Sequence, residues 1–382
     1  MRSRTMSIDP TATSSPGPAS PTAPAVPAPT NGSFELRTFA PSWGASVMGT
    51  SALAVALLVA GGSGATGSVA QAAARVALVI ALVLGGLVLG ATAARWLRHA
   101  DQARADLRHP VKGGMTATAA GALLTLAVAI GRVGPGFLPQ GVILPVVTAL
   151  LVMGAALALL IGWEFLGEVF TSRDAQLAQV SGAWFVPPVV TVIAPLAMLP
   201  VVVAHPGAAP DLLALAWALL GMGAVLYLVV TATLFVRSVT HPLPPAGLAP
   251  TLFIGMGPAG LLGLDIVRLG HVSVEVGVAE PALLSSLLPV ATALWGFGLW
   301  WMVSALVVLR RGYVHLPFSL SWWGFTFPLA AWTIATTVLG HAWDSGLLVA
   351  LGRVATAALV VLWLVVAGRT AAGVRSGAIW SH

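Results

Sequence analysis

Few side chains in this sequence are equipped for chemistry, and their spacing limits what that chemistry is. Glu164 and Glu168 stand four residues apart, on one face of any helix that carries them. Acids at membrane depth suit proton relay, which makes Glu164 the candidate for proton coupling; the other reading is a solvated pair at a helix end. The eight histidines, His99, His109, His205, His241, His271, His315, His341 and His382, show no His-x-x-x-His spacing, so no metal site is expected. Cysteine is absent, which removes disulfides, thiolate ligands and cysteine nucleophiles. No serine elbow, phosphate loop or inward cluster of carboxylates is present. An enzyme is not expected, and no cofactor is required.

The stretch of most unusual character is LPFSLSWWGFTFPLAAWTIATTVLG, Leu316 to Gly340. It is uncharged, holds three phenylalanines in its first half and carries Pro328 near its centre. A proline inside a helix leaves a carbonyl unpaired and kinks the turn before it, which a membrane tolerates only where protein or a wet cavity surrounds the break. Phe327, one residue earlier, reads either as core packing beside a kink or as an aromatic plug in a narrow apolar tube. The tryptophans Trp295, Trp300, Trp301, Trp322 and Trp323 read as interfacial anchors or helix packing.

These residues need elements to hold them, and composition says which. Of 382 residues, 58% are hydrophobic and 8% charged, whereas soluble domains carry about 25% charged residues. The fold class is therefore all-α, a polytopic membrane protein. The formal charge of +6 is spread over connections and does not interleave with aromatics, which reads as orientation signal and not as a nucleic-acid surface. Residues 1–33 are rich in Pro, Ala, Thr and Ser, have no apolar run with a cleavage site, and are expected to form a disordered cytoplasmic tail. A ten-helix domain is expected over 34–370, followed by a short cytoplasmic tail, 371–382.

Taking about 20 apolar residues per crossing, ten segments qualify: 41–61, 75–97, 113–131, 142–166, 184–204, 212–236, 248–267, 283–309, 317–340 and 346–368. With the N-terminus inside, fourteen of the eighteen Lys and Arg fall on the cytoplasmic side, leaving only Arg75, Arg132, Arg268 and Arg353 on the other. Ten spans with short connections make five helical hairpins with both termini cytoplasmic. Helix breakers favour the odd spans: Gly44 and Gly49 in the first, Gly113, Gly114 and Gly121 in the third, and mid-span Pro195, Pro258 and Pro328 in the fifth, seventh and ninth. Glycines of the even spans, Gly85, Gly86, Gly90, Gly154 and Gly162, also suit close packing alone. The prolines point to an inner ring of five odd helices around a path, with the even helices outside.

Three runs, FAPSWGASVMGTSALA (Phe39 to Ala54), APTLFIGMGPAG (Ala249 to Gly260) and LPFSLSWWGFTFPLA (Leu316 to Ala330), resemble the tellurite-resistance and dicarboxylate transporter family. That family includes plant guard-cell slow anion channels, yeast malate permeases and sulfite efflux pumps. The resemblance covers about residues 35–370. It implies a protomer of five hairpins around its own pore, a homotrimer in the cell membrane, and a phenylalanine of the ninth helix plugging the pore. The counterpart here is Phe327, with Phe325 two residues away as the other assignment. The implied partners are the lipid bilayer and small anions: chloride, nitrate, sulfite, tellurite or a C4-dicarboxylate. The alternatives are a proton-coupled malate carrier, a sulfite or tellurite exporter, or a non-conducting membrane scaffold or sensor.

An anion crosses a low-dielectric barrier when dipoles replace its hydration, while a buried unpaired cation binds it too tightly for release. The odd spans carry no Lys or Arg at mid-depth but offer hydroxyls, including Thr50, Ser51, Thr116, Thr118, Thr191 and Thr326, and carbonyls freed at proline. The pore-lining candidates are Gly49, Thr50, Pro195, Pro258, Thr326 and Pro328. Arg132, Arg268 and Arg353 either gather anions at the mouth or pair locally, as Arg268 would with Asp265.

Overall fold

Every long apolar segment becomes a helix, because in a bilayer only a helix or a closed barrel satisfies its own backbone. The computed structural model describes residues 33–62, 64–172 and 176–380, and no strand occurs among them. Its helices are α1 (Gly44–Ala60), α2 (Gly64–Arg98), α3 (Ala100–Arg108), α4 (Gly113–Thr116), α5 (Thr118–Val133), α6 (Gln140–Thr171), α7 (Val186–Ala204), α8 (Ala209–Thr240), α9 (Met256–Glu275), α10 (Ala282–Gly312), α11 (Trp323–Ala342) and α12 (Gly346–Ser376). The expected tail, 1–33, lies outside the described residues apart from Ser33. At the other end α12 runs on past residue 370, and the Trp380 ring then stacks on Trp43 and meets Phe34 edge-on.

Two populations of helix are present. The spans built on α1, α5, α7 and α9 are 78%, 89%, 83% and 83% buried over their most apolar windows, whereas α2, α6, α8, α10 and α12 are only 28%, 28%, 33%, 22% and 28% buried. The first set is an inner group and the second its lipid-facing jacket. α11 joins the inner group, packed against α1 and α9 with most of its residues buried. Each inner helix lies against the outer helix that follows it in sequence.

Among the described residues nine helices are long and apolar enough to cross a membrane. The expected ninth of ten spans, 317–340, is not one of them. It forms α11, 20 residues long, whose hydroxyls and tryptophans lower its hydropathy. A helix shielded from lipid by its neighbours does not need a lipid-soluble surface, so burial accounts for the difference.

The outer helices hold 31 to 35 residues, well beyond the ~20 that span hydrocarbon. The inner helices are shorter, 16 to 20 residues. Each is entered through a separate short turn: Pro41–Trp43, α4, Gly182–Phe185, Ala249–Gly255 and Leu320–Trp322. This placement corrects one expectation. Pro258 is not a mid-helix breaker; it sits in the first turn of α9, where its missing N–H breaks no ladder. Pro195 and Pro328 do lie inside α7 and α11.

Small residues set the distance between the two layers. Each outer helix seats a glycine on an inner neighbour: Gly85 on Leu126, Gly154 on Leu124, Gly223 on Val192, Gly298 on Trp332 and Gly352 on Thr337. Gly86, Gly90 and Gly162 face open space instead. Indole N–H groups tie the layers further, Trp295 donating to Thr336 Oγ1 at 2.8 Å, Trp323 to Thr370 Oγ1 at 3.1 Å and Trp363 to Thr50 Oγ1 at 3.0 Å. The tryptophan-rich segments therefore serve helix packing.

Candidate functional site

All five inner helices contribute one face to a single cavity of about 470 Å³. On each helix the lining residues recur at three- and four-residue steps, for example Phe327, Ala331, Ile334 and Val338 on α11. The lining residues nearest the helix N-termini are Ala52, Thr125, Ile193, Leu261 and Phe327, one per helix, and together they make the floor. The walls are mostly Val, Leu, Ile and Ala. The mouth, at the helix C-termini, carries Arg132, Arg268 and Glu275, of which Arg132 and Glu275 are solvent-exposed and Arg268 is half-buried.

Below the floor the helices close on one another. Gly49 of α1 packs on the Thr326 side chain, Gly257 of α9 packs on Pro328, and Gly121 of α5 leaves room only for Met48 and Val190. The Phe327 ring, 6% exposed, is thus the last large side chain before a packed section. Phe325 points elsewhere, edge-on to Phe253 at 5.3 Å and to Trp322 at 5.8 Å. Of the two phenylalanines, Phe327 is the one in the cavity.

The remaining lining candidates lie between helices. Thr50 donates to Ser46 O at 2.7 Å and accepts from Trp363, so it faces α12. Thr326 donates to Trp323 O, Thr116 to Gly113 O and Thr191 to Pro187 O, while Thr118 bonds Pro41 O across to the start of α1. Gly49, Pro195, Pro258 and Pro328 are buried and none borders the cavity. The hydroxyl that does border it, Thr125, was not among the candidates; its spacing with Val128 and Arg132 on one helical stripe is the signal that marks it. Pro200 and Glu275 are likewise additions from the structure.

Charge at the mouth is positive. Arg132 on α5 and Arg268 on α9 face the cavity with one acid, Glu275, and among the described residues neither arginine forms an ion pair. The expected Arg268–Asp265 pair is not made: both Asp265 oxygens are buried without a hydrogen-bond partner. Arg353, on the outer α12, lies near Gly62, and Arg75 covers the Phe137 ring at 5.8 Å, so neither joins the cavity. The other described Lys and Arg residues gather at the opposite end, where Arg95 is bonded to both Asp106 and Arg37 O; Arg2, Arg4 and Arg173 lie outside the described residues. Glu164 sits on the outer α6, exposed, lining a separate cavity with Arg95 and Trp96, and Glu168 reaches Arg108 at 4.0 Å. Among the described residues no cluster of His, Asp and Glu is arranged to hold a metal.

A wall supplied by five helices, an aromatic floor and a cationic mouth are the features of a solute path, and comparison with known proteins gives the family. Residues 38–371 match the model of the SLAC1 family, described as voltage-dependent anion channels. The chain belongs to that family. It is 30% identical over 309 residues to an uncharacterized transporter of Methanocaldococcus jannaschii, covering 79% of this chain and 83% of that one. A second uncharacterized transporter of the same organism is 27% identical over 308 residues, 79% of this chain and 84% of the relative. A sulfite efflux pump of Trichophyton rubrum is 27% identical over 216 residues, 52% of this chain and 55% of the pump. The match covers nearly the same residues as the resemblance read from the three runs, about 35–370, and takes in α1 to α12.

Proposed function

We propose that the protein carries small anions across a membrane through a path inside each protomer, closed at Phe327. The observation that carries this reading is the cavity itself: one face from every inner helix, apolar walls, a phenylalanine floor and two unpaired arginines at the mouth. An apolar tube with distant positive charge attracts anions without a buried cation to trap them. The sulfite efflux pump among the relatives supports sulfite as the first anion to offer, followed by nitrate, chloride, tellurite and C4-dicarboxylates. The segregation of basic residues to one end supports a cytoplasmic location for both termini, with the arginine-lined mouth opposite. A homotrimer in the cell membrane is expected from the family likeness.

The test is current across a planar bilayer holding purified wild type or Phe327→Ala, with chloride, nitrate, sulfite and malate offered in turn. Removal of the ring lets water and anion past the floor, so conductance rises several-fold and stays anion-selective. Unchanged current in a well-folded variant removes Phe327 as the gate. A coupled carrier is the second reading, favoured by a buried acid, Asp265, on α9, one of the helices that wall the cavity; it shows as uptake without current.

A further inference from the structure

A second cleft lies outside the inner ring, at the end of the bundle opposite the arginine mouth. α2 and α6 each pack on α5, and the cleft, of about 420 Å³, runs between them over the α5 surface at Ala119 and Leu123. α3 packs on both outer helices and closes the end of the cleft, turning Ala103 and Leu107 inward while Arg104 and Arg108 stay exposed. A helix with one apolar face and a basic polar face is suited to lie in the headgroup layer. The rim carries Trp96, Met153 and Leu160, which are 39%, 57% and 56% exposed, on two helices of the lipid-facing jacket. The cleft therefore opens sideways, into lipid.

Its length and polarity follow those of one leaflet. The lining on α6 runs from Met153 to Glu164, about 16 Å at 1.5 Å per residue, close to half of the ~30 Å hydrocarbon core. Leu89, Leu123 and Met153 line the inner end, and both charged groups, Arg95 and Glu164, stand at the end beneath α3. The two hydroxyls of the lining are satisfied within the chain, Thr92 donating to Val88 O and Thr116 to Gly113 O. The charged pair is what remains to meet a ligand.

Those two groups have opposite sign and stand on different helices. Glu164 is exposed and forms no ion pair among the described residues, whereas Glu168, one turn on, reaches Arg108. Arg95, 5% exposed, donates from Nε to Arg37 O at 3.0 Å and from Nη2 to Asp106, and its Nη1 has no partner among the described residues. An apolar slot one leaflet deep, with a carboxylate and a guanidinium donor at its polar end, fits a phospholipid whose headgroup carries both a phosphate and an ammonium. A headgroup with phosphate alone would set like charge against Glu164, and a trimethylated amine would offer it no N–H. We propose that the cleft between α2 and α6 holds one phosphatidylethanolamine per protomer, with an acyl chain in the slot, its ammonium on Glu164 and its phosphate on Arg95 Nη1.

The test offers the purified, delipidated full chain equal amounts of phosphatidylethanolamine, phosphatidylcholine and phosphatidylglycerol with the same acyl chains, and counts bound lipid by native mass spectrometry. The wild type is expected to retain one phosphatidylethanolamine per protomer, preferred over the other two by roughly fivefold, the worth of one charge-assisted hydrogen bond at an interface. Glu164→Gln should abolish the preference with its melting temperature unchanged in lipid-free detergent. Ala93→Trp, a bulky ring at an exposed position of the lining, should lose the lipid whatever its headgroup. Equal retention of the three lipids by the wild type, a Glu164→Gln protein that keeps the preference, or an Ala93→Trp protein that keeps the lipid overturns the inference. If a variant does not fold, the wild type decides: phosphatidylethanolamine with a photoreactive acyl chain should label the segments of α2 and α6 that line the cleft, and labelling confined to other helices overturns it. Because the chain has no cysteine, Ala93→Cys tests the competing occupant. A disulfide between protomers through that position, with no lipid retained by the wild type, assigns the cleft to a contact between copies and also overturns the inference.

Discussion

The inner and outer helices of this protein solve different problems with nearly the same alphabet. The outer five are long, lipid-facing and apolar over most of their surface, and Val and Leu side chains such as Leu87, Val152, Leu228, Val303 and Val361 stay exposed. The inner five are short; the spans built on α1, α5, α7 and α9 are 78% or more buried over their most apolar windows, and the inner helices carry the cavity wall, the buried Pro195 and Pro328 and the charged mouth residues. The lipid-facing side of the outer layer is specified by hydrophobicity alone, so many sequences would serve there. The inner layer is specified by fit, because five faces must close below Phe327 and stay apart above it. Tolerance to substitution is therefore expected to differ sharply between the two.

The largest difference is expected at glycine. A side chain on Gly182, in the turn that enters α7, would run into the Thr251 carbonyl of the turn that enters α9, a clash with backbone and not with the far end of a flexible side chain. Gly86 of α2 is exposed with nothing near it. Gly182→Leu should lose about 3 kcal/mol or fail to yield monodisperse protein, whereas Gly86→Leu should stay within about 0.5 kcal/mol. Thermal melts of the two variants in the same detergent test this. Equal melting temperatures would mean that the inner crossings are not the tightly fitted part of the fold.

How much of this was legible in the sequence follows the same division. Helix positions, the burial of the odd helices and the segregation of basic residues are carried by hydrophobicity and charge, which are local properties. The motif singled out Phe327, which the structure places in the cavity lining. The facing of hydroxyls was not: Thr50 is claimed by Trp363, more than 300 residues away, and no local pattern announces such a partner. Pro258 was misread because a 3-10 turn and an α-helix join just before it, and a hydropathy window sees one segment. Asp265 and Arg268 have the spacing of an ion pair, but Arg268 is turned to a cavity that exists only once five helices meet. The α11 span does not stand out by composition alone, since its neighbours shelter it from lipid and its hydroxyls and tryptophans lower its hydropathy.

The arginines extend the comparison to function. Arg268 stands on an inner helix in the cavity wall, while Arg353 stands on the outer α12 away from it. Removing Arg268 takes one positive charge from the entrance of a low-dielectric cleft, so Arg268→Ala should lower anion flux roughly threefold to tenfold and shift the reversal potential toward lower anion selectivity. Arg353→Ala should change neither beyond experimental scatter. Flux measured in vesicles at low ionic strength, where screening is least, separates the two, and an equal effect of both would locate the entrance outside the inner ring.

The smallest effect is expected where the two layers touch through a single hydrogen bond. Trp363 Nε1 donates to Thr50 Oγ1 at 3.0 Å, and Thr50 keeps its own bond to Ser46 O when the indole is removed. No acceptor is left stranded, because Thr50 Oγ1 retains a bonded role within α1. Trp363→Phe should therefore lower stability modestly, and a double-mutant cycle with Thr50→Val should give a coupling of about 0.6 kcal/mol, typical of hydrogen bonds between membrane helices. Anion flux should be unchanged in all three variants, since the bond lies behind α1 and not in the cavity wall. A coupling several times larger, or a change in flux, would mean that the outer layer sets the shape of the path and that the jacket is part of the machinery.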